Sequence, residues 1–597
     1  MNAIRLLQIG AALALPASRA PAAPPLTDLV DERTALVLLA EDLPGLLENW
    51  ERSPWARTWN DEQFAKFLAP VREKMKTAEW DDKVKAETGH TIRELLTLAG
   101  RQCLLAVRDF DDLVARTDGA NPDVPIIFAL DLGAGRELAD LFQKQAEKGA
   151  APDSTEEFQG ETLHFCEPVD DKLVGWAIVG DVLLAGNRRD LLQQTVANLK
   201  RGKAASPLSE SMRFQQLRRA TPRAHFTLYL NLEALYPGLL RSVRAKAGAE
   251  EAPANPLGVT PEGMLKALGV DALETLGLSV RLGAEATELN GSLAYRENRG
   301  LVRVLAYGAA VGPRPDFVSA RWPMVSAGRF SVAEAYAGVE EILRSASPGL
   351  ETFVQGWIQG LNQQLGIDLK RDLIGSLGEV VVSAQAVDES VPAGEIPTAE
   401  QVNQLVAFSL LNRPAFENAV EALKGLGGPG LSQRMARREY LGETIHTFQP
   451  PADPAGIPKG KTVAYAVTPR WFLLGVGSAG PVESALQGLQ GGLESLWDRT
   501  DVQQVLAPLP PNAATVTYQD LRLLMPVFLD GMLKGFERSR DAARARAAKG
   551  GAVAKPDFDW DARPDPKAIA KYWGHVVGAV SKESGAIEFA TRIEHPR

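Results

Sequence analysis

The 597-residue sequence has few cysteines, few histidines and no long apolar run in its interior. Two cysteines, Cys103 and Cys166, exclude a disulfide-rich scaffold, although one bridge between them stays open if the chain folds in an oxidising compartment. The zinc patterns C-x-x-C and H-E-x-x-H, clustered Asp/Asn calcium loops and the G-x-S-x-G elbow are all missing, which excludes the common forms of these sites. No interior apolar run approaches the roughly 20 residues that cross a bilayer. We therefore expect no transmembrane segment in the mature chain.

Positively charged residues are also fewer than negatively charged ones. Lys and Arg number 65 against 75 Asp and Glu, which gives a net charge of −10 at pH 7 and a pI near 5.4. This balance argues against a broad nucleic-acid-binding surface. The hydrophobic fraction of 45% and the charged fraction of 23% are typical of a folded globular chain. The composition predicts an acidic, soluble protein with sizeable cores.

The first residues have the layout of a secretory signal. Arg5 precedes an apolar run over residues 6–15, and the small-residue unit Ala-Pro-Ala follows at 20–22. We predict a signal peptide over residues 1–22 that is removed before Ala23. The alternative is an Ala/Leu-rich N-terminal helix. Export would place the protein in the periplasm or outside the cell.

The interior of the sequence has two similar halves. The β-type run GRQCLLAV at 100–107 resembles GEVVVSAQ at 378–385, and the next apolar run, VPIIFALDL at 124–132, resembles NQLVAFSLL at 403–411. In each half a helical pattern follows the second run, and two apolar runs with the pattern of a hairpin come after that. The order of elements predicts two tandem copies of one domain.

Short apolar runs that lie close together in sequence favour antiparallel hairpins over parallel crossovers. We therefore predict an α+β fold, in which each of two tandem domains is a mostly antiparallel sheet with helices packed on one face. The predicted domains cover residues 30–310 and 320–597. The strand order does not follow from the sequence.

Three glycine-rich stretches resemble phosphate-binding motifs. GVGSAG at 475–480 matches G-x-G-x-x-G, but no later strand ends in an acidic residue, and a turn into a helix at Pro481 explains the glycines. GLGGPG at 425–430 follows a helix and has the composition of a loop. GIPKGKT at 456–462 is one residue shorter than a phosphate loop and precedes a strand. We predict no cofactor.

The pentapeptide GETLH at 160–164 returns as GETIH at 442–446. We expect each glycine to end a turn and each following segment to begin a strand. Strand alternation puts Leu163 with Phe165 and Ile445 with Thr447 on one face, and Thr162, His164 and Cys166 with Thr444, His446 and Phe448 on the other. Cys103 aligns with Val381 and Cys166 with Phe448, so we expect both cysteines to face a core, with each of the two histidines near its edge.

The histidines His90, His164, His225, His446, His575 and His595 are widely scattered. Their spacing predicts no metal site, and the sequence predicts no catalytic, cofactor-binding or metal-ligating residue.

The order of these features resembles a family of uncharacterised exported bacterial proteins with tandem domains of unknown function. The resemblance rests on TALVLLAEDLPGLLENWERSPWAR (34–57), GRQCLLAV, the GETLH strand and FQQLRRATPRAHFTLYLNLEAL (214–235). It spans most of the chain and implies no activity, cofactor or site residue.

The sequence leaves three hypotheses for function. The first is a non-enzymatic exported envelope protein that acts as a binding or scaffold module for an unknown protein or envelope partner. The second is a carrier of an apolar ligand such as a lipid, which abundant aliphatic residues permit. The third is a hydrolase with a non-standard site.

Overall fold

A computed structural model gives the fold of the chain. The residues that it describes are 24–75, 77–91, 93–94, 102–110, 124–133, 140, 154–169, 172–221, 224–249, 257–308, 312–388, 390–392, 395–428, 433–450, 461–547, 558–583 and 585–596. The predicted signal peptide at 1–22 lies outside these residues, as does most of the predicted helix that follows the run 124–132.

The chain forms two compact units. Unit 1 is drawn from Met1–Pro253, Asp271–Arg296 and Asp557–Arg563, and unit 2 from Ala254–Val270, Glu297–Pro556 and Pro564–Arg597.

Unit 1 is built on an antiparallel sheet. Its described strands are β1 (Leu36–Glu41), β2 (Gln102–Val107), β3 (Ile126–Asp131), β4 (Ser154–Phe158), β5 (Glu161–Val169), β6 (Lys172–Val179), β7 (Val182–Gly186), β8 (Phe226–Asn231), β9 (Leu273–Leu282) and β10 (Ala286–Tyr295). Neighbouring strands follow the order β10-β9-β8-β1-β2-β3-β7-β6-β5-β4, and every pair is antiparallel.

The helices of unit 1 fall between these strands. Those among the described residues are α1 (Leu43–Arg52), α2 (Pro54–Asn60), α3 (Glu62–Phe67), α4 (Ala69–Met75), α5 (Thr77–Thr88), α6 (Arg189–Arg201), α7 (Met212–Ala220) and α8 (Leu232–Ala249), with short 3-10 turns at Leu26–Asp28, Leu208–Glu210 and Trp560–Ala562.

The strands of unit 2 are β11 (Met324–Arg329), β12 (Leu377–Val387), β13 (Val402–Leu410), β14 (Met435–Tyr440), β15 (Glu443–Phe448), β16 (Thr462–Val467), β17 (Trp471–Gly477), β18 (Thr515–Asp520), β19 (His575–Glu583) and β20 (Ala586–Glu594). They pair antiparallel in the order β20-β19-β18-β11-β12-β13-β17-β16-β15-β14. The described strands of the two units therefore have the same order.

The described helices of unit 2 are α9 (Pro261–Ala267), α10 (Leu301–Val304), α11 (Val332–Ala346), α12 (Pro348–Leu365), α13 (Arg413–Leu426), α14 (Gly480–Leu489), α15 (Thr500–Leu506) and α16 (Leu521–Ala547). Shorter helical turns lie at Leu369–Leu373, Ile374–Ser376, Ala399–Gln401, Leu496–Asp498 and Pro566–Tyr572.

Each unit has its own hydrophobic core on its sheet. In unit 1, Leu104 of β2 and Tyr229 of β8 are buried in one cluster, and in unit 2 Leu405 of β13 and Tyr518 of β18 are buried in another. Burying one such leucine side chain contributes roughly 1.5–3 kcal/mol. Helices and a large antiparallel sheet are both present, so the predicted α+β class is confirmed.

The unit boundaries differ from the predicted domain bounds of 30–310 and 320–597. Residues 254–270 belong to unit 2 because α9 packs against α11. The segment Asp557–Arg563 belongs to unit 1, where the ring of Phe558 stacks on Phe67 with 4.9 Å between centroids. Packing across long sequence separations sets these boundaries, and the tandem-domain organisation stays a prediction.

Candidate functional site

The repeated pentapeptides begin at the same kind of turn. Gln159 and Gly160 form the two-residue loop between β4 and β5, and Leu441 and Gly442 form the loop between β14 and β15. Both residues of each loop have positive φ: 51° and 80° in unit 1, and 52° and 84° in unit 2. Positive φ at both positions matches a type I′ turn, whose twist suits a hairpin. The prediction that each glycine ends a turn is confirmed.

The strand after each turn carries the same polar contact. The Thr162 hydroxyl donates to Glu157 Oε1 at 2.6 Å, and the Thr444 hydroxyl donates to Glu439 Oε1 at 2.7 Å. Cross-strand pairs of this kind contribute roughly 0.2–1 kcal/mol. The threonine of each pentapeptide therefore stabilises its hairpin.

Each histidine of the pentapeptides stacks on an aromatic ring of the neighbouring strand. His164 lies 4.1 Å from Trp176 between ring centroids, with 13° between the planes. His446 lies 4.7 Å from Tyr465, with 7° between the planes. The Nδ1 atom of each histidine is buried without a hydrogen-bond partner. Burial lowers the pKa of both imidazoles, so both are neutral at pH 7 and act as flat stacking groups.

The surroundings of the two histidines differ in charge. In unit 2, the ammonium of Lys424 lies 5.1 Å from the centre of the Tyr465 ring, and Arg437 pairs with His446 across the strands. These cations further lower the pKa of His446 while Glu421 and Glu417 act to raise it, and in unit 1 the Glu157 carboxylate acts to raise the pKa of His164. The stacking is thus common to both histidines, whereas among the described residues only His446 has cations beside it.

The expected burial of Cys166 and Phe448 is wrong. Leu163 and Ile445 face the cores and are fully buried, whereas Cys166 and Phe448 lie on the opposite face and are half-buried. Both faces of these strands carry apolar side chains, so sequence alternation alone does not show which face packs against the core.

Cys103 also lies on the sheet face opposite the main hydrophobic cluster of unit 1. It is half-buried on the face of β2 opposite the buried Leu104. Both cysteines are thiols and no disulfide joins them, because β2 and β5 are not neighbouring strands in the sheet. Desolvation raises the pKa of the Cys103 thiol to about 12, so the group is unreactive at neutral pH.

A second polar cluster, which we call the Tyr518 cluster, joins β18, β19 and α15 in unit 2. The Tyr518 hydroxyl lies 2.9 Å from His575 Nδ1, and His575 Nε2 lies 4.0 Å from Asp501 Oδ2. Next to them, Arg522 donates two hydrogen bonds to the Asp520 carboxylate, at 2.9 and 2.6 Å. Nothing in the sequence spacing of these residues indicates the strand pairing that brings them together.

The order Tyr–His–Asp resembles a proton relay, but Tyr518 cannot reach a substrate. Its side chain is 0% exposed, and burial raises the pKa of its hydroxyl. Burial lowers the pKa of His575, because it disfavours the charged imidazolium. The cluster satisfies buried polar groups between two strands and a helix.

The glycines of GVGSAG are explained by packing. A Cβ on Gly475 would lie 3.0 Å from Val482 of α14. Gly477 has φ +116° and lies against the side chain of Asn403. A dinucleotide fingerprint needs its glycines to approach a pyrophosphate, whereas these approach the chain's own side chains. GLGGPG falls partly outside the described residues, and most of GIPKGKT does as well.

A small cavity lies beside the core of unit 1, lined in part by Leu29, Arg108, Thr195 and Asn198. Its volume is about 40 Å³, which is room for water and far below the roughly 300–1,000 Å³ of ligand pockets. The Asn198 amide donates to the Leu29 carbonyl at 2.9 Å and the Thr195 hydroxyl donates to the Leu191 carbonyl at 2.8 Å, so both groups are already hydrogen-bonded. This cavity holds no site for an apolar ligand.

Among the described residues, no group of three or more His, Cys, Asp or Glu side chains is placed to hold a metal ion. Within the same part of the chain, no helix combines the length and the apolar character that crossing a membrane requires.

Helix α12 of unit 2 is held at both ends by its sequence. The Ser347 hydroxyl accepts from the backbone N–H of Gly349 at 3.1 Å and of Leu350 at 3.4 Å, and Pro348 occupies the first turn. Gly366 ends the helix with φ +69°. These caps fix an 18-residue helix.

One side of α12 is apolar and exposed. Phe353 and Trp357, one turn apart, are 64% and 65% exposed. Gly356 and Gly360 lie beside them, and a Cβ added to either would meet nothing within 4 Å. These four residues are called the α12 face. Next to this face, the side chains of Leu350, Val354, Ile358, Leu361 and Leu365 are half-buried along the adjoining side of the helix.

The α12 face carries no charge. Glu351 is the one charged residue between 348 and 365, and its carboxylate accepts from Arg344 at 2.8 Å. The remaining polar residues of the helix are Thr, Gln and Asn. Exposed aromatic side chains with little charge around them are typical of the centre of a protein interface.

Comparisons with known proteins add no family. No protein-family model matches the chain, and no curated protein matches it. Crystal form IV of TP0453 is 9% identical with a TM-score of 0.23, over 46% of this chain and 81% of that chain. Crystal form III of TP0453 is 10% identical with a TM-score of 0.22, over 49% and 86%. Likeness at this level carries no argument about function.

Proposed function

We propose that this chain is an exported binding or scaffold module of the cell envelope and that it binds through the α12 face. Export rests on the signal pattern at residues 1–22, which would place the mature chain in the periplasm or outside the cell.

The exposure of Phe353 and Trp357 carries this proposal. Two large aromatic side chains on one helix are each about two-thirds exposed, at 64% and 65%. Burying a large apolar side chain contributes roughly 1.5–3 kcal/mol, and tryptophan is enriched among the residues that dominate binding energy. Each ring therefore stabilises a contact that covers it.

The settings of the histidines favour binding over catalysis. His164 and His446 stack on neighbouring rings, and His575 bonds to a buried tyrosine. The His225 Nδ1 atom accepts from the Leu282 backbone N–H at 3.0 Å. In each case the ring serves the local structure, which supports a non-enzymatic role.

We also propose that the two units arose as tandem copies of one domain, each with helices packed on one face of its sheet. The shared strand order and the shared Gly-Glu-Thr hairpin with its stacked histidine support this origin.

Hydrogen exchange tests the binding role. The purified chain at about 1 µM is compared with the same chain in the envelope fraction of the source cells and with the chain alone at about 200 µM. We expect added protection in the backbone amides of 348–365, and we expect the double variant Phe353→Ser/Trp357→Ser to lose it. Met212→Ser is the matched control, because Met212 is 66% exposed on α7 of unit 1. Protection elsewhere with none in α12 would contradict the proposal.

A further inference from the structure

We infer that the occupant of the α12 face is a second copy of this chain, bound as an antiparallel helix pair about a two-fold axis. The inference rests on the proposed binding role of that face and adds the identity of the partner.

Charge is the first argument. The chain carries a net charge of −10 at pH 7, so two copies repel each other wherever their charged surfaces meet. The α12 face is neutral, and the one charge of its helix is already paired with Arg344. An anionic lipid surface attracts lysine and arginine, and a basic partner attracts carboxylates. The α12 face offers neither, and its neutrality fits contact with an identical neutral face.

The register of the four residues is the second argument. A two-fold interface brings the same patch of both copies together, so the patch must complement itself. In an antiparallel pair whose axis passes between residues 356 and 357, Phe353 of each copy meets Gly360 of the other. The same axis brings Trp357 of each copy against Gly356 of the other. Both bulky side chains therefore meet glycines about a single axis.

The space at the glycines agrees with this register. A Cβ on Gly356 or Gly360 would meet nothing within 4 Å, so the chain itself does not fill either position. A glycine lets a neighbouring side chain approach the helix backbone. Packing of large side chains into such holes is the general mode of helix–helix contact.

The size of the face indicates a weak dimer. Eighteen residues make a helix roughly 27 Å long, and one helix face buries less than the roughly 800 Å² per partner of a stable interface. We expect a reversible monomer–dimer equilibrium with a dissociation constant of roughly 10–100 µM.

Sedimentation of the purified full chain from about 1 to 200 µM tests the pairing. We expect concentration-dependent dimerisation that both Trp357→Ser and Gly360→Leu weaken at least about tenfold. Trp357→Ser removes a bulky side chain, and Gly360→Leu fills a hole while adding apolar surface. Gly531→Leu is the matched control, because Gly531 also lies in a helix with nothing within 4 Å of an added Cβ. A wild-type chain that stays monomeric to 200 µM overturns the inference, and so does a Gly360→Leu variant that dimerises like the wild type.

A disulfide trap tests the register. Phe353→Cys and Gly360→Cys chains are prepared with Cys166→Ser, and Cys103 stays because its thiol does not react at neutral pH. An equal mixture should form a covalent dimer under mild oxidation, and each variant alone should not. Equal trapping by the single variants would refute the antiparallel register.

Neutral phosphatidylcholine vesicles separate this inference from the broader proposal. Vesicle binding that Trp357→Ser abolishes and Gly360→Leu retains would make a lipid surface the occupant, which overturns the second copy and leaves the binding role standing. If 348–365 gains no protection either in the envelope fraction or in the chain alone at about 200 µM, the binding role fails as well.

Discussion

The hairpin loop between β4 and β5 allows a sharp test of the backbone argument. Gln159 has φ 51° and precedes Gly160 at φ 80°. A left-handed conformation costs a residue with an ordinary side chain roughly 1–2 kcal/mol, and asparagine tolerates it much better. Asn-Gly is also the preferred pair for a type I′ turn. We therefore expect Gln159→Asn to stabilise unit 1.

The size of the effect follows from exposure. Gln159 is exposed, so its replacement sacrifices little packing and the backbone gain survives as about 0.5–1 kcal/mol. Leu441 occupies the same turn position at φ 52° but is only 43% exposed. Leu441→Asn would lose apolar burial of about 1 kcal/mol, which offsets the gain. The two equivalent positions should thus respond unequally.

Hydrogen exchange of the β4–β5 amides is the assay. A gain of about 0.5–1 kcal/mol slows exchange through local opening by about two- to fivefold. Gly160→Ala, at φ 80°, should act in the opposite direction by about 1 kcal/mol. Faster or unchanged exchange in Gln159→Asn, together with unchanged exchange in Gly160→Ala, would refute the reasoning.

Three further outcomes are expected. Gly488→Ala should destabilise unit 2 by about 1–3 kcal/mol in denaturant titrations, because its Cβ would lie 2.6 Å from the Phe317 backbone oxygen. Gly425→Ala is the contrasting case: Gly425 lies on an open helix surface, so alanine should stabilise the unit by up to about 1 kcal/mol. Burial lowers the pKa of His575 in the folded chain, so on acidification the unfolded chain takes up this proton at a higher pH than the folded chain does. The free energy of unfolding should therefore fall as pH drops below about 6.5, and His575→Gln should make that fall less steep. Cys103, with a pKa of about 12, should react with iodoacetamide at pH 8 roughly a thousandfold more slowly in the native chain than in denaturant.

Local elements were predictable because local patterns determine them. The run at 378–385 lies within β12, and the apolar pair after GETIH forms the β16–β17 hairpin. The strand order was not predictable, since β1 pairs with β8 through contacts such as Val37 opposite Tyr229. Such pairing depends on burial shared by segments far apart in sequence, and no local period records it.

The candidate sites divide in the same way. Sequence identified the turns at Gly160 and Gly442 but not the rings that the two histidines meet, because Trp176 and Tyr465 come from neighbouring strands. The α12 face was missed altogether. An amphipathic helix has the same sequence pattern whether its apolar side is covered or exposed, so only the packed structure reveals that Phe353 is uncovered.

The position of the α12 face in one unit bears on how a doubled chain would acquire a function. If the halves are tandem copies, α5 corresponds to α12, because α5 precedes the GRQCLLAV run as α12 precedes the matching run of the second half. Helix α5 contains three consecutive charged residues, Asp81, Asp82 and Lys83. Helix α12 instead has a single charge and two exposed aromatic rings. By contrast, both units have a histidine that stacks on an aromatic ring of the neighbouring strand, as expected of a feature that belongs to the fold. Two exposed aromatic rings one turn apart on a helix with a single charge are explained by contact with another molecule. On this argument the repeated pentapeptide belongs to the architecture, and the unrepeated helix is where binding should be sought.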